Sequence, residues 1–215
     1  MLAATDNETY RCLLELLLTS GLRIGEALGL TIADLDTTHS LIRVEYQLGR
    51  DGTRTPLKTA ESQRTIDIPP RLMQRLLALV SKQGDLLDPA GFVLESRNGS
   101  GLERKTARAA LQRATKTANL PAPGPTLHDL RHTHASMLIG LDIPLVGVQR
   151  RLGHRKPDTT LRIYTHQWKD REARRSHIGQ TLGHLFNPPA ALDLPTPPVV
   201  RLALPPPTPN PDRLG

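Results

Sequence analysis

The chain has 215 residues, a formal net charge of +7 and a pI near 10.1, with one cysteine and 3% aromatic residues. This length suffices for one domain with a sizeable core, and the single Cys12 excludes a disulfide scaffold or a cysteine-cluster zinc site. The sequence contains neither an apolar run near the ~20 residues that span a bilayer nor the pattern of a signal peptide. We therefore expect a soluble, cytoplasmic protein with no membrane partner, and its positive charge suggests nucleic acid as a partner.

The spacing of apolar residues predicts a mainly helical domain. Residues 7–18 are expected to form a helix that Gly21 caps, and a short helix begins near Arg23. Alternation over 41–48 predicts a strand, and two more strands are expected at 53–58 and 64–68. The remaining predicted elements are a small strand at 92–94 and helices at 70–82, 103–118, 127–139, 144–152, 158–165 and 170–186. The expected fold class is mainly α with a small three-stranded antiparallel β-sheet, an α+β arrangement.

Positive charge and proline are concentrated in the second half of the chain. Residues 101–187 hold 15 basic and 6 acidic side chains, whereas residues 1–100 hold 11 and 13. The basic region suggests a nucleic-acid surface, although a solvated basic face explains the charge alone equally well. Ten of the 19 prolines lie within 188–211, which predicts a disordered tail over 187–215. The folded domain is therefore expected to span 1–186.

The segment Leu127–Leu138 combines histidine and arginine on one predicted helix. Thr126 and Asp129 have the spacing of a capping box, so that the helix begins at Thr126. His128 and Arg131 are three residues apart and share a face, where they suit a phosphate. His132 lies one turn after His128, but we do not expect a metal site, because no third ligand has a sensible spacing and Arg131 repels a cation. His134 lies within the stripe Leu127, Leu130, Met137, Leu138 and Leu141 and is interpreted as a core or supporting histidine.

Two short arginine-rich helices follow. Pro144 begins the first, Gly153 ends it, and His154 comes directly after. Pro157 opens the second, which carries Tyr164. Taken alone, this pair is similar to a helix-turn-helix DNA reader, and a non-catalytic DNA-binding protein is the first alternative hypothesis.

Four segments in this order resemble the catalytic domain of the tyrosine recombinases, the phage integrase family. TSGLRIGEALGL resembles the first arginine box, PLKTAESQRTIDIP the lysine hairpin, and LHDLRHTHASML the H-x-x-R box. LGH at 152–154 with Tyr164 ten residues later resembles the last box. The resemblance covers about residues 5–186 and implies a tyrosine recombinase catalytic-domain fold.

The resemblance also implies a site-specific recombinase or integrase that needs no ATP, metal or other cofactor. Tyr164 would attack the scissile phosphate and form a 3′-phosphotyrosine link. Arg23 and Arg131 would neutralise the charge that develops on the phosphate. Lys58 would protonate the leaving 5′-oxygen, with Arg54 and Arg64 as rivals for that role. His128 would manage the tyrosine proton, and His154 would donate a hydrogen bond to the phosphate.

Further roles follow from the same resemblance. Supporting positions that do not touch the substrate are Glu26, Asp129 and His134; expected DNA contacts are Arg150, Arg151, Arg155, Lys156 and Arg162. The implied partner is double-stranded DNA, with a homo-oligomer, a tetramer on DNA, formed through the C-terminal segment; packing of the apolar stripe of that segment on its own domain is an equally weighted alternative. A type IB topoisomerase with the same chemistry is the second alternative. The chain begins 22 residues before Arg23, so we expect no N-terminal core-binding domain and either a fragment or a naturally truncated protein.

Overall fold

The computed structural model describes residues 1–5, 7–59, 62–83, 88–96 and 98–153. Its helices are α1 (Glu8–Ser20), α2 (Ile24–Leu28), α3 (Pro70–Gln83), α4 (Arg104–Thr117), α5 (Leu127–Gly140) and α6 (Leu145–Leu152). Its strands are β1 (Leu35–Asp36), β2 (Leu41–Val44), β3 (Tyr46–Leu48), β4 (Arg54–Pro56) and β5 (Arg64–Asp67). In this part of the chain no helix is long and apolar enough to cross a membrane.

Helix α1 is the central element of the main core. Asn7 caps its start by accepting a hydrogen bond from the Thr9 amide at 2.9 Å. Gly21 ends it in the left-handed region, with φ of 66°, as the sequence predicts. Its leucines at 13, 14, 16 and 17 are fully buried, so the helix is covered on more than one side. Helices α3, α4 and α5 all pack against it.

The strands form two small antiparallel sheets instead of one. The three-stranded sheet has the order β1-β2-β5, with Ile42 opposite both Leu35 and Ile66. Strand β4 is not part of it and pairs with β3 in a separate ribbon, where Leu48 lies opposite Arg54. The predicted strand 41–48 is thus divided at Glu45, and Tyr46 is exposed while Leu48 is buried. The fold class is confirmed, but the assignment of 53–58 to the three-stranded sheet was wrong.

The predicted helices over 70–82, 103–118, 127–139 and 144–152 are confirmed as α3 to α6. The predicted strand at 92–94 was wrong, since Phe92 makes only an isolated bridge to Thr31. The predicted helices at 158–165 and 170–186 and the tail over 187–215 lie outside the described residues.

A second, smaller apolar cluster joins α5 to α6. It consists of Ala135, Ile139, Val148 and Leu152, with Leu138 packed against it. The stripe expected on α5 is only partly buried, because Met137 and Leu141 are 55% and 71% exposed. The buried face carries Arg131 and His134 instead. This face of α5 therefore serves to place polar side chains as much as to fill the core.

Candidate active site

Three of the predicted catalytic residues line one cavity. It has a volume of about 250 Å³, and Arg23, His128 and Arg131 contribute to its wall. Arg23 precedes α2, whereas His128 and Arg131 lie one turn apart at the start of α5. The side chain of Arg23 is 41% exposed, so the cavity is open to solvent. A larger cavity of about 440 Å³, bordered by Glu95 and Glu103, contains none of the predicted residues.

Arg23 is held by a buried carboxylate. Its Nη1 donates to Oε1 of Glu26 at 2.7 Å, and its backbone amide donates to Oε2 of the same residue at 2.8 Å. Arg64 Nη2 donates to Glu26 Oε2 at 2.8 Å from the other side. Burial alone would raise the pKa of Glu26, but the hydrogen bonds and charges of Arg64 and Arg23 outweigh it and leave this pKa below its ordinary value. Glu26 is therefore an anion that orients the Arg23 guanidinium.

Arg131 is almost entirely buried, with an exposure of 3%. Its Nη1 donates to the carbonyl of Gly21 and its Nη2 to the carbonyl of Leu152, both at 2.6 Å. Burial, followed by the charge of Arg23, lowers the pKa of Arg131 to about 9, which leaves the group charged at neutral pH. A buried guanidinium fixed by two carbonyls is preorganised to bind an anion.

Three arginines bind three consecutive carbonyls where α6 ends. Arg64 Nε donates to the carbonyl of residue 151 at 2.7 Å, and Arg131 Nη2 to that of residue 152 at 2.6 Å. Arg23 Nη2 donates to the carbonyl of Gly153 at 3.1 Å. The last carbonyls of a helix lack partners within the helix and form the negative end of its dipole, so cations stabilise them. The two predicted catalytic arginines are therefore fixed against the backbone directly before His154.

His128 faces His132 and two guanidinium groups. The rings of His128 and His132 meet edge to face, with centroids 4.4 Å apart. Partial desolvation, followed by the charges of His132 and Arg131, lowers the pKa of His128 below its ordinary value. The ring is therefore neutral at neutral pH, the form that can accept a proton.

Lys58 does not line this cavity. It is exposed after β4, and within the described residues it makes no hydrogen bond or ion pair. Its rivals are engaged elsewhere. Arg54 is bound to Asp34 at 2.8 Å and stacks over Tyr46, whereas Arg64 is bound to Glu26. Of the three, Lys58 alone has a side chain free to move to a bound substrate.

Two of the expected supporting residues have structural partners. Asp129 completes the predicted capping box, accepting from the Thr126 amide at 2.8 Å, and its charge acts on His128, the preceding residue. His134 is 4% exposed, and its Nδ1 donates to the carbonyl of Leu18 at 2.8 Å. Its Nε2 accepts from Arg151 Nε at 3.1 Å. Burial, then the charge of Arg151, lowers the pKa of His134 to about 4, so this ring is a neutral link between α1, α5 and α6.

The predicted DNA contacts divide into two groups. Arg150 is exposed on α6. Arg151 forms an ion pair with Asp67 and donates to the carbonyls of Thr19 and Asp67 at 3.2 and 2.8 Å. Its guanidinium is thus occupied within the domain, which argues for a structural role. The predicted residues His154, Arg155, Lys156, Arg162 and Tyr164 lie outside the described residues.

A family model for the phage integrase family matches residues 1–171. The chain belongs to the phage integrase family. The match includes the cavity residues and the position of Tyr164.

Relatives in this family are about 30% identical to this chain over the aligned residues. The integrase of Staphylococcus phage L54a is 31% identical over 159 residues, which cover 68% of this chain and 45% of the phage protein. Tyrosine recombinase XerC of Pelobacter propionicus is 29% identical over 171 residues, covering 78% of this chain and 52% of XerC. The chain thus spans about half the length of these relatives.

Solved structures show the same fold. The Tn1549 transposon integrase, in complex with a circular intermediate DNA, superposes with a TM-score of 0.70 at 24% identity, over 82% of this chain and 62% of that one. XerA recombinase superposes with a TM-score of 0.64 at 22% identity, over 82% of this chain and 59% of that one. The integrase-family chain therefore has the tyrosine recombinase catalytic-domain fold.

Sequence reasoning missed two residues of the cavity wall. Gln47 lies on β3 and Arg104 is the first residue of α4, and both line the cavity beside Arg23. Neither belongs to the four motifs. The available signal was weak, since Arg104 is one of several basic residues on an amphipathic helix.

Proposed function

We propose that this domain breaks and rejoins duplex DNA through a covalent 3′-phosphotyrosine intermediate, as the catalytic part of a site-specific recombinase. The observation that carries the proposal is the placement of Arg23 and Arg131 beside His128 in one cavity, with both guanidinium groups bound to the carbonyls directly before His154. Fixed cations of this kind stabilise the charge that develops on phosphate oxygens in the transition state.

The proposed cleavage step is a phosphoryl transfer to tyrosine. The Oη atom of Tyr164 forms a bond to the scissile phosphorus, and the bond from phosphorus to the 5′-oxygen breaks. His128 accepts the tyrosine proton, for which its lowered pKa is suitable. Lys58 delivers a proton to the leaving 5′-oxygen, and His154 donates a hydrogen bond to the phosphate.

Rejoining reverses this step with a different strand. The 5′-hydroxyl of a partner strand attacks the phosphotyrosine, and Tyr164 is released with its proton restored. One phosphate ester bond is made for each one broken, so the chemistry consumes no nucleotide. A duplex DNA substrate agrees with the DNA complexes of structurally similar recombinases and with the cytoplasmic location expected from the sequence. We further propose, from the sequence, that strand exchange takes place in a homo-oligomer assembled on DNA through the C-terminal segment.

The decisive experiment traps the covalent intermediate. The chain is incubated with a pool of duplexes that carry a nick a few base pairs from a randomised cleavage position, so that the short cleaved fragment diffuses away. Covalent adducts are isolated under denaturing conditions, and their DNA is sequenced to obtain the preferred site. The chain has three tyrosines, which supply matched controls: Tyr164→Phe, Tyr10→Phe and Tyr46→Phe.

We expect adducts with the parent, Tyr10→Phe and Tyr46→Phe, and none with Tyr164→Phe. Arg131→Ala should lower the rate of adduct formation by about 100- to 1,000-fold, the usual effect of removing a preorganised donor. Adducts that persist in Tyr164→Phe would refute this nucleophile. DNA binding without any adduct would support the non-catalytic binder, and plasmid relaxation at unselected sites would support a topoisomerase. The comparisons with known proteins favour neither alternative.

A further inference from the structure

Arg104 lies against the first arginine motif, although it is 81 residues away in the sequence. It begins α4, and its half-buried side chain passes over Gly25, two residues after Arg23. A Cβ atom at position 25 would lie 2.5 Å from Nη2 of Arg104 and 3.2 Å from the carbonyl oxygen of Leu48. The absence of a side chain at Gly25 therefore makes room for the Arg104 guanidinium at the edge of the cavity.

Within the described part of the chain, Arg104 differs from the other partly buried arginines because it forms no ion pair with a carboxylate. Arg54, Arg64, Arg75 and Arg151 each form an ion pair with an aspartate or a glutamate. Arg104 has a single acceptor, the carbonyl of Leu48 at 2.9 Å from Nη2, within the described part of the chain.

The Nε atom of Arg104 also lacks a hydrogen-bond partner among the described residues. Among the described residues, two buried side-chain nitrogens lack an acceptor, Nη2 of Arg75 and Nε of Arg104. Arg75 is already neutralised by Glu8 and Glu15, whereas Arg104 forms no ion pair with any described residue. A buried donor that is left unsatisfied costs about 1–3 kcal/mol, and more when the group is charged. A negatively charged ligand in the cavity that Arg104 lines would offset part of the cost of this half-buried guanidinium without an ion-pair partner.

The cavity that Arg104 lines already contains the charges of Arg23 and Arg131. The negative charge of Glu26, the carboxylate nearest to Arg23, is shared between Arg23 and Arg64, and within the described residues Arg104 forms no ion pair with it. A phosphate offers several charged acceptor oxygens to more than one guanidinium at once.

We propose that Arg104 binds a backbone phosphate of duplex DNA at this cavity, as a third guanidinium beside Arg23 and Arg131. The inference rests on the proposed function for the identity of the anion. A purely structural role, in which Arg104 only links α4 to β3 through the Leu48 carbonyl, predicts a loss of stability without a change in the salt dependence of DNA binding.

The test measures non-covalent duplex binding in a Tyr164→Phe background, which separates it from the covalent chemistry. Dissociation constants are measured by fluorescence anisotropy over a range of salt concentrations for Arg104→Gln and for Arg108→Gln. Arg108 is the matched control because it lies one turn further along α4 and is exposed. The logarithm of the association constant falls linearly with the logarithm of the salt concentration, and each phosphate contact contributes about 0.9 to the steepness of this slope.

We expect Arg104→Gln to weaken binding roughly tenfold and to reduce the salt slope by about 0.9, with a smaller change for Arg108→Gln. Equal changes in the two variants, or an unchanged slope for Arg104→Gln, would overturn the inference. If Arg104→Gln does not fold, the test uses the NMR spectrum of the Tyr164→Phe protein. The signals of the Arg104 guanidinium are assigned by their absence from the spectrum of Arg104→Lys. They should shift when duplex is added, and no shift would overturn the inference.

The result is independent of the trapping experiment. A reduced slope without any covalent adduct would retain Arg104 as a phosphate ligand and refute the proposed reaction. Adducts together with an unchanged slope would retain the reaction and refute the role of Arg104.

Discussion

The partners of individual arginines separate structural guanidinium groups from those that are open to a substrate. The sequence identified Arg23 and Arg131 from their motifs but left Arg54 and Arg64 as rivals of Lys58. In the structure both rivals are engaged in ion pairs, with Asp34 and Glu26, which lie 20 and 38 residues away in the sequence. Such long-range pairs leave no local pattern in the sequence. For the same reason Arg104, whose contact with Gly25 arises only on folding, was not predicted.

His134 makes the stability of the domain depend on pH. Its pKa is lowered from 6.5 to about 4 by burial and by Arg151, so between these values the unfolded chain binds more protons than the folded one. The free energy of unfolding should therefore decrease as the pH falls from about 6.5 to about 4, with a contribution from His134 of up to about 3 kcal/mol. Urea unfolding at a series of pH values measures this dependence.

The His134→Gln variant, which keeps a donor and an acceptor, should show a flatter pH profile than the parent. Glu26 and Asp67, whose pKa values are also lowered, affect parent and variant alike at the acidic end. The exposed His39 provides a control: His39→Gln removes the hydrogen bond that lowers the pKa of Asp36, so any change in the profile should be confined to its acidic end. Parallel profiles for the parent and His134→Gln would contradict the assignment.

At the scale of elements, the sequence predicts helices better than strands in this chain. Helices α3 to α6 agree with their apolar spacing within one or two residues, because each buries one continuous face. The alternation over 41–48 instead spans a change of partner at Glu45, where β2 pairs with β5 and β3 pairs with β4. Strand β1 has only two residues and depends on pairing with β2, so no periodicity can reveal it.

The C-terminus of α6 depends on Gly153. This residue has a φ of 64°, and a Cβ there would lie 3.0 Å from Nη1 of Arg64. Gly153→Ala should destabilise the domain by about 1–2 kcal/mol through the left-handed conformation alone. The crowded Arg64 should also loosen the chain before His154. The free energy of unfolding from urea titration measures the first effect.

Gly140→Ala is the matched control for Gly153→Ala. Gly140 ends α5 with a helical backbone, and a Cβ there meets nothing within 4 Å. This substitution should be neutral or stabilise the domain by up to about 1 kcal/mol, since alanine favours a helix over glycine. A similar loss of stability in both variants would show that the left-handed turn at 153 is not the cause.

At the scale of the whole described domain, two apolar clusters are joined by polar side chains. The main cluster surrounds α1, whereas the smaller one lies between α5 and α6. Arg131, His134 and Arg151 link the smaller cluster to α1 and β5 through carbonyls and Asp67. The sequence predicted apolar faces on the individual helices, but neither the division into two clusters nor this polar junction, because the acceptors of the junction are mainly backbone carbonyls. The candidate site is therefore built on the boundary between the two clusters.

This division predicts that Arg151→Met loosens α6 without loosening the main core. The variant keeps an apolar stem but loses the ion pair with Asp67 and the hydrogen bonds to Thr19 and His134. Their loss should lower the free energy of local opening by about 1–3 kcal/mol, which corresponds to roughly 5- to 150-fold faster amide exchange in α6. Helices α1 and α3 should exchange at the parental rate.

Arg150→Met, at the exposed neighbouring position, should leave amide exchange unchanged in all elements. Uniformly faster exchange throughout Arg151→Met would mean that the two clusters unfold as one unit, and unchanged exchange in α6 would mean that Arg151 does not hold it in place.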